Sequence, residues 1–320
     1  MNRATTPSPG SQANDPTGFS DFQPVIESAL VSACEFGEGC PTRLGDAMRY
    51  ALLAPGKRLR PALVLMAAEA CEGVIEDAIP GAVAVEMIHA YSLIHDDLPS
   101  MDDDDLRRGR PTCHIQFDEA TAILAGDGLI AEAFSQLAEN VKPGNLAAEA
   151  IRILAKASGP NRLVGGQADD LAAERGWTDL PVGSASSERD TDQANLAYLE
   201  SIHRRKTGAL ITASVDLGAI LSGGSPEQRA ALREYASYVG LAFQVVDDLL
   251  DLTADAETMG KRTGKDAEMG KLTYPGLLGL QGAKNRAEEL IQAAHQAINV
   301  FGERNWRLRW LADYVLERQH

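Results

Sequence analysis

The sequence GAVAVEMIHAYSLIH at residues 81–95 is apolar on nearly every side, which predicts a helix buried inside a bundle. Apolar residues recur at helical spacing on both sides of it, in the segments 119–138, 145–157, 195–222, 227–253 and 284–300. The hairpin signal, an Asn-Gly or Asp-Gly turn between runs of alternating β-branched residues, is missing. The sequence therefore predicts an all-α fold, a single-domain bundle of antiparallel helices.

The overall charge of the chain narrows the classes of partner. Its 320 residues carry 30 Lys and Arg against 46 Asp and Glu, a net charge of −16. This balance argues against nucleic acid, which needs clustered positive charge, and against an anionic membrane surface. No uncharged apolar run reaches the roughly 18 residues of a membrane span, so stable membrane insertion is not expected. The N-terminus lacks the apolar core of a secretory signal, and we expect a cytoplasmic protein.

Two polar regions lie outside the predicted helices. Residues 1–22 are rich in Pro, Ser, Thr and Gly and are expected to form a disordered tail, which leaves 23–320 as the helical domain. A second polar stretch at 176–194 is predicted to be a surface loop. The cysteines are dispersed and form no CxxC pair, so neither a disulfide framework nor a zinc or redox site is expected. They are Cys34, Cys40, Cys71 and Cys113.

Two aspartate clusters follow apolar helical segments. The first comprises Asp96, Asp97 and Asp102–Asp105, and the second comprises Asp247, Asp248 and Asp251. Pro99 is expected to end the first helix, so that Asp102 can fold back toward Asp96. In the second cluster, Asp247 and Asp251 are four residues apart and share one face of a helix.

These clusters favour a magnesium site over a solvated run of charges. A solvated face belongs on an amphipathic helix, yet the segments before both clusters are apolar on every side. Carboxylates at the ends of buried helices cost several kcal/mol unless a metal or hydrogen bonds compensate them. Mg²⁺ takes few protein carboxylates per ion and completes its shell with water and substrate phosphates. The pattern therefore indicates a metal that bridges to a polyphosphate.

Basic residues fit the same interpretation. They are Lys57 and Arg60 in GKRLRP at 56–61, Arg107 and Arg108 after the first cluster, and Lys206, Lys261 and Lys271. Arg side chains match phosphate oxygens in pairs and Lys supplies a mobile point charge, although each residue taken singly also fits an ordinary surface cation. Neither a P-loop nor a Rossmann glycine motif occurs, so a nucleotide site of those kinds is not expected.

The motifs resemble, in their order, those of the trans-isoprenyl diphosphate synthases, the polyprenyl synthetase family, and most closely its bacterial farnesyl diphosphate synthases. The matching motifs are GKRLRP at 56–61, DDxxxxD at 96–102 followed by RRGRPT, GGQ at 165–167, KT at 206–207, FQVVDDLLD at 243–251 and GKRTGKD at 260–266. The resemblance runs from about residue 25 to the C-terminus. One departure is Asp169-Asp170 after GGQ, where the family has one acidic residue spaced slightly further on.

The resemblance implies an all-α bundle around a deep central cavity, usually homodimeric, with two facing aspartate motifs that bind three Mg²⁺ ions. It implies head-to-tail condensation of isopentenyl diphosphate with dimethylallyl diphosphate and geranyl diphosphate, which gives (2E,6E)-farnesyl diphosphate. A geranylgeranyl diphosphate synthase of the same family is the alternative. A class I terpene cyclase is disfavoured because Asp251 and Asp255 stand where its second motif has Ser or Thr and Glu. A non-catalytic partner subunit is disfavoured because both aspartate clusters are intact.

The resemblance also assigns roles to residues. The metal ligands would be Asp96 and Asp102 for two ions and Asp247 for the third, supported by Asp97, Asp248 and Asp251. The allylic diphosphate would bind Arg107, Lys206 and Lys261. Isopentenyl diphosphate would bind Lys57, Arg60, His89 and Arg108, and Gly56 and Lys271 would complete the substrate-binding set. Thr207 and Gln244 would lie beside the reacting carbons. His89 alone also fits a core histidine with a hydrogen-bond partner.

Tyr91 is the residue expected to set product length, because it lies five positions before Asp96 and its ring can close the cavity floor. Ser92 lies one helical turn before the same aspartate. In the family, an aromatic residue here, together with the two-residue insertion between Asp96 and Asp102, is typical of C15 producers. A smaller residue would indicate C20. The alternative is that Tyr91 is simply a core aromatic residue.

Overall fold

The computed structural model describes residues 18–177, 188–257 and 272–317, and this part of the chain is almost entirely helical. The helices are α1 (Gln23–Ser32), α2 (Thr42–Leu52), α3 (Leu59–Ala70), α4 (Ile75–Asp96), α5 (Cys113–Gln116), α6 (Glu119–Asn140), α7 (Gly144–Ser158), α8 (Leu163–Glu174), α9 (Glu188–Lys206), α10 (Gly208–Leu221), α11 (Pro226–Glu257), α12 (Tyr274–Ala297) and α13 (Trp306–Glu317). Short 3-10 segments occupy Ser20–Phe22 and Asn299–Asn305. The predicted all-α, single-domain fold is confirmed, since the buried apolar residues of all these regions join in one core.

Helices α4 and α10 lie at the centre of the bundle because few of their positions are polar. In α10, 12 of the 14 residues are buried, and the helix packs against α3, α4, α7 and α11. Gly218 permits the close approach of α10 to α3, because a Cβ there would lie 2.0 Å from the carbonyl oxygen of Val64. Within the described residues, no helix is long and apolar enough to span a bilayer.

The chain reverses after α4 as Pro99 predicts. Helix α4 ends at Asp96, and the backbone N–H of Asp102 donates to the carbonyl oxygen of Asp96 at 2.8 Å. A second backbone bond joins the N–H of Asp104 to the carbonyl oxygen of Asp97 at 3.3 Å. The loop therefore returns the second half of the first aspartate motif to the end of the helix.

One β-hairpin follows this loop, and the turn signals in the sequence missed it. Strands β1 (Leu106–Arg107) and β2 (Arg110–Pro111) pair antiparallel around Arg108 and Gly109. Both turn residues have positive φ, 53° and 74°, as a two-residue hairpin turn of the primed kind requires. Arg108 occupies the first left-handed position of the turn, where Asn is usual, so the sequence lacks the Asn-Gly pair that indicates a hairpin.

The folded domain begins earlier than predicted. Phe19 and Phe22, placed by the sequence in the tail of residues 1–22, are buried at 5% and 7% exposure. Phe19 packs edge-on against Trp310, and Arg307 donates to the carbonyl oxygen of Gly18 and to the carboxylate of Asp21. The domain boundary at residue 23 is therefore wrong by at least five residues, because these contacts tie 18–22 to α13.

Two further predicted boundaries differ from the structure. The segment 195–222, predicted as one helix, is two helices that meet at Thr207, where α9 ends and α10 begins. The loop predicted at 176–194 overlaps α9, whose backbone is helical from Glu188. Residues 178–187 and the predicted tail at 1–17 lie outside the described residues.

Candidate active site

Asp96 lies where four other charged side chains meet at the C-terminal end of α4: Lys206, Asp102, Arg107 and Asp97. Burial raises the pKa of Asp96 to about 7, opposed by Lys206 and Arg107 and reinforced by Asp102. A helix C-terminus disfavours negative charge as well. An additional cation at this point would restore the charged form of the carboxylate, and oxygen ligands of this kind are those that Mg²⁺ prefers.

Asp97 is paired within the protein. It is 3% exposed, and its Oδ1 accepts a hydrogen bond from Nε of Arg107 at 2.7 Å. Burial raises the pKa of the Asp97 carboxyl, and the bond to Arg107 opposes that rise. Asp97 thereby orients Arg107, which lies on strand β1 just after the aspartate motif.

The break between α9 and α10 presents Lys206 and Thr207 to the neighbouring helices. Nζ of Lys206 donates to Oδ2 of Asp170 at 2.5 Å, and Oγ1 of Thr207 donates to Oε1 of Gln244 at 3.2 Å. Gly166 lets α8 approach this break, because a Cβ there would lie 2.3 Å from the backbone nitrogen of Lys206. The structure therefore places Lys206 next to Thr207, which is hydrogen-bonded to Gln244.

The two acids after GGQ, which depart from the family pattern, each bind a basic residue of α9. Asp170 binds Lys206, as above, and Asp169 forms an ion pair with Arg205. Sequence reasoning did not assign these partners, because they lie about 36 residues away along the chain. Helices α8 and α9 are thus held together by two adjacent ion pairs at the level of the predicted allylic site.

The second aspartate motif lies on α11. Asp247 and Asp248 are half-buried and Asp251 is exposed. Oδ2 of Asp248 accepts a hydrogen bond from the backbone N–H of Tyr274 at 2.9 Å, at the start of α12. Among the described side chains, no group of three or more His, Cys, Asp or Glu residues is arranged to hold a metal ion. The side chain of Asp255, and the predicted substrate ligands Lys261 and Lys271, lie outside the described residues.

A separate cationic cleft forms where GKRLRP meets α4 and the hairpin. His89 and Arg60 lie deep among protein atoms but keep accessible surface, as expected of side chains that line a cleft. Burial and the arginines around it, led by Arg60 and Arg108, hold the pKa of His89 well below its usual range. Nε of Arg60 is buried and has no hydrogen-bond partner in the described part of the chain. A buried guanidinium donor without a partner is the kind of group that an anionic ligand satisfies.

The other cations of this cleft are held at its edge. NH1 of Arg108 donates to the carbonyl oxygen of Pro55 at 2.8 Å, and a Cβ at position 56 would lie 2.2 Å from the same nitrogen. Gly56 therefore makes room for Arg108. Nζ of Lys57 lies 3.1 Å from Oη of Tyr314, whose ring stacks on Trp310. Gly56 thus lies against Arg108, and His89 lies among Arg60 and Arg108, while Lys57 is held by Tyr314.

Arg58 is a buried residue of the same motif that sequence reasoning left without a role. Its side chain is 3% exposed and binds Glu86 at 2.9 Å and Glu27 at 2.7 Å. Its φ of 51° lies in the left-handed region, which is unfavourable for a large side chain. These two ion pairs hold the strained residue between Lys57 and Arg60. The sequence carries no signal that separates Arg58 from its basic neighbours, because burial alone distinguishes them.

Tyr91 and Ser92 lie on the α4 turn between the cleft and the aspartates. Tyr91 is 5% exposed, packs edge-on against His95 at 5.8 Å between ring centres, and burial raises its pKa to about 12. Gly126 of α6 makes room for His95, because a Cβ there would lie 2.2 Å from Nε2 of the ring. Oγ of Ser92 donates to the carbonyl oxygen of His89 at 2.9 Å.

Comparison with known proteins gives consistent matches over most of the chain. A family model described as polyprenyl synthetase matches residues 41–302. The farnesyl diphosphate synthase of Escherichia coli (strain K12) is 48% identical over 286 residues, which cover 87% of this chain and 90% of that protein. Geranylgeranyl pyrophosphate synthase 7, chloroplastic, of Arabidopsis thaliana is 46% identical over 299 residues, 92% of this chain and 82% of that protein. The crystal structure of an FPP/GFPP synthase from Zymomonas mobilis superposes with a TM-score of 0.78 at 37% identity and covers 93% of this chain and 97% of that one.

Proposed function

Because the chain belongs to the polyprenyl synthetase family, whose members carry out trans-prenyl transfer, we propose that it is a Mg²⁺-dependent farnesyl diphosphate synthase. It would condense isopentenyl diphosphate head-to-tail with dimethylallyl diphosphate and then with geranyl diphosphate to give (2E,6E)-farnesyl diphosphate. One observation carries the proposal: α4 bears His89 in the cationic cleft and Asp96 in the aspartate motif seven residues later. Seven helical residues span roughly 10 Å. Helix α4 would therefore separate the diphosphate of isopentenyl diphosphate, at His89, from that of the allylic substrate, at Asp96, by about the length of the two reacting isoprenyl groups.

The donor set at the aspartate site fits Mg²⁺. We assign Asp96 and Asp102 to two ions and Asp247 to a third, with Asp97, Asp248 and Asp251 in support. The raised pKa of Asp96, caused first by burial, supports this assignment, because a bound cation would stabilise the charged carboxylate. When bound, the ions would withdraw charge from the leaving diphosphate. The family pattern of few protein carboxylates per ion agrees with an arrangement completed by water and substrate phosphate.

The basic residues around the aspartates would bind the allylic diphosphate. Arg107, oriented by Asp97, and Lys206, held by Asp170, stand beside Asp96 in the structure. We assign them, with Lys261, to the oxygens of the leaving group, where their charge assists cleavage of the allylic C–O bond. Thr207 directs its hydroxyl hydrogen to Gln244, which leaves its oxygen lone pairs to stabilise the developing carbocation. The released diphosphate would accept the proton lost after condensation, so no dedicated base is required.

The cationic cleft would hold isopentenyl diphosphate. We assign Lys57, Arg60 and Arg108 to its phosphate oxygens, with Gly56 making room for Arg108 and Lys271 as a further ligand. The unpartnered Nε of Arg60 supports this assignment most directly. His89, whose pKa is held well below its usual range by burial and by the arginines around it, would donate one hydrogen bond without adding charge. The alkene would then face the allylic carbon held at the aspartate site.

The C15 product is favoured by Tyr91, which is buried one turn before Asp96 and packs against His95, the residue that contacts α6. A bulky ring at this position would stop a growing chain after three isoprene units. Geranylgeranyl diphosphate synthase is the second candidate, because the plant enzymes of that name are as similar to this chain as the bacterial farnesyl enzymes are. Tyr91 and Ser92 would then set the balance between the two products.

A homodimer is proposed on the basis of the family resemblance and an exposed apolar surface. Ile115 of α5 is 50% exposed, and Ile123 and Leu124 of α6 are 45% and 57% exposed. Neighbouring exposed apolar side chains of this size are typical of interfaces. A relative from Arabidopsis thaliana is described as the large subunit of a heterodimeric synthase, so a partner chain of a different kind is the alternative. The test is light scattering of this protein purified without any partner chain. A monomer at micromolar concentration would contradict the homodimer.

The activity is tested by incubation with Mg²⁺, isopentenyl diphosphate and dimethylallyl diphosphate, followed by chromatographic sizing of the dephosphorylated products. We expect farnesol as the main product and no product when EDTA replaces Mg²⁺. A main product of C20 would support the second candidate. No condensation product, with or without added geranyl diphosphate, would contradict both.

A further inference from the structure

A second cavity, of about 410 Å³, lies between α7, α10 and α11, and none of its lining residues belongs to the site described above. Its rim carries six positive side chains: Arg152, Lys156, Arg162, Arg204, Arg229 and Arg233. The net charge of the whole chain is −16, so the positive charge of the rim is a local feature opposite in sign to the net charge. Such a focused field attracts anions.

Carboxylates and a hydroxyl hold several of these arginines by one edge. Asp216, whose side chain is 9% exposed, accepts from Nε of Arg229 at 2.8 Å and from Arg233 at 3.2 Å. Oγ of Ser237 accepts from NH1 of Arg204 at 2.7 Å. A guanidinium fixed along one edge still has donors along another, in a geometry that suits phosphate oxygens. The basic rim is therefore ordered by the protein before any ligand binds.

The carboxylates that contact the rim do not neutralise it. Glu149 binds Arg152 and Arg229, and Glu200 binds Arg204. With Asp216, three negative groups therefore face six positive ones, and one of the three, Glu200, is shared with Arg286 outside the cavity. Among the described side chains, Lys156 and Arg162 have no carboxylate within ion-pairing distance. An excess of three positive charges therefore stays open to an external anion.

The floor of the cavity is apolar. Ile153 and Ala157 of α7 and Ala209 and Ala213 of α10 line it, and all four are buried. The hydroxyl of Thr212 lies among them. A cavity of this volume falls within the range of sites for small organic molecules, about 300–1,000 Å³, rather than holding a single ion alone. An apolar floor below a basic rim suits a ligand with a small organic body and a polyanionic end.

From these features we propose that the cavity is a second ligand site, which binds a small molecule bearing a di- or triphosphate group. The phosphates contact Lys156, Arg162 and Arg152, and the rest of the molecule lies over the apolar floor. The site faces the opposite side of the α9–α10 junction from Lys206, because Arg204 precedes that lysine by two residues and points roughly 200° away around the helix. The proposal rests on the cavity alone and holds whichever reaction the aspartate site performs.

The test is isothermal titration calorimetry of the full chain in EDTA, with inorganic diphosphate and ADP as the two probes. The variant Lys156→Gln/Arg162→Gln removes the two unpaired cations of the rim. The matched control is Lys142→Gln/Arg309→Gln, which removes two exposed cations that do not line the cavity and gives the same net charge. Any diphosphate bound by the Lys57 and Arg60 cleft contributes equally to all three proteins.

We expect the cavity variant to lose at least about tenfold in affinity for one or both probes, whereas the control binds as the wild type does. If ADP binds more tightly than inorganic diphosphate, the apolar floor contacts the organic part of the ligand. If the two probes bind equally, the site recognises the diphosphate group itself. Equal affinities of the cavity variant and the control variant for both probes would overturn the proposal. The charge-reversal variant Arg162→Glu, checked for an unchanged Tm, should weaken binding further. The binding test runs in EDTA, without the Mg²⁺ that the condensation requires. A negative result in this test therefore does not contradict the proposed condensation.

Discussion

The cationic cleft and the aspartate site lie at two levels of the same helix, yet the protein prepares them differently. In the cleft, internal bonds place the charges: Glu86 and Glu27 hold Arg58, and the Pro55 carbonyl holds Arg108. At the aspartate site, Asp96 is half-buried with a raised pKa, and the carboxylates of α4 and α11 form no ready-made metal cluster among the described residues. The first site is preorganised by the protein, whereas in the proposed function a cation would complete the second.

The largest effect should come from removing the charge that a cation would bind. Asp96→Asn keeps the shape of the side chain but removes its negative charge, and we expect turnover to fall by about 10³-fold with an unchanged circular dichroism spectrum. The measurement is the steady-state condensation rate at saturating Mg²⁺. The matched control is Asp105→Asn, an exposed acid of the same loop. Wild-type turnover of Asp96→Asn would remove this residue from the metal site.

Removing the buried arginine that orders the cleft should lower the stability of the fold. Arg58→Leu leaves Glu86 buried without its partner, and we expect a loss of about 3 kcal/mol in the free energy of unfolding, measured with urea. The double variant Arg58→Leu/Glu86→Leu should regain most of that loss, because Glu27 is 45% exposed and can be solvated. If the double variant is no more stable than the single one, the ion pair is not what orders the cleft.

A smaller effect should follow from removing a ligand of the cleft without disturbing its framework. Arg60→Gln takes away a guanidinium whose Nε has no partner within the described residues, so stability should change little. We expect kcat/KM for isopentenyl diphosphate to fall by about 10²-fold, carried by KM, while KM for the allylic substrate stays the same. Arg60→Lys should recover part of the loss, since it restores the charge but not the planar fork. An equal rise in both KM values would contradict separate diphosphate sites.

The smallest change in rate should come from Tyr91→Ala, which touches neither charged site. The first condensation should proceed within about a few-fold of the wild-type rate, because the charges at both levels of α4 are retained. Product sizing should show chains longer than C15, because the ring no longer closes the space against α6. Ser92→Ala is the comparison variant, and we expect a smaller change in product length from it, because its side chain is small and its hydroxyl donates to the α4 backbone. A C15 product from Tyr91→Ala would exclude this residue as the floor.

Much of the fold was predictable because it depends on composition along each helix. The apolar segment at 81–95 becomes the centre of α4, and the turn that Pro99 predicts returns Asp102 to Asp96. The errors occur where long-range contacts override local composition. Phe19 and Phe22 lie next to a polar tail but are buried against α13, and Arg108 adopts the left-handed conformation usual for Asn or Gly.

Likewise, part of the candidate site follows from the sequence and part only from the structure. The order of the motifs identifies Asp96, Lys206, Gln244 and the residues of GKRLRP, because the chemistry needs those residue types. It does not reveal that Arg58 is the structural arginine of its motif, or that Asp170 holds Lys206. Those partners lie 28 and 36 residues away along the chain.

By itself, the sequence of this protein determined the helical bundle, the family and the two motifs proposed to bind diphosphates, because each depends on the type and spacing of neighbouring residues. Only the tertiary structure decided which cations are buried and paired, which are left open to a ligand, and where a second basic cavity forms from α7, α10 and α11. The physical reason is that charge is a property of a residue, whereas burial and partnership are properties of the helices packed around it.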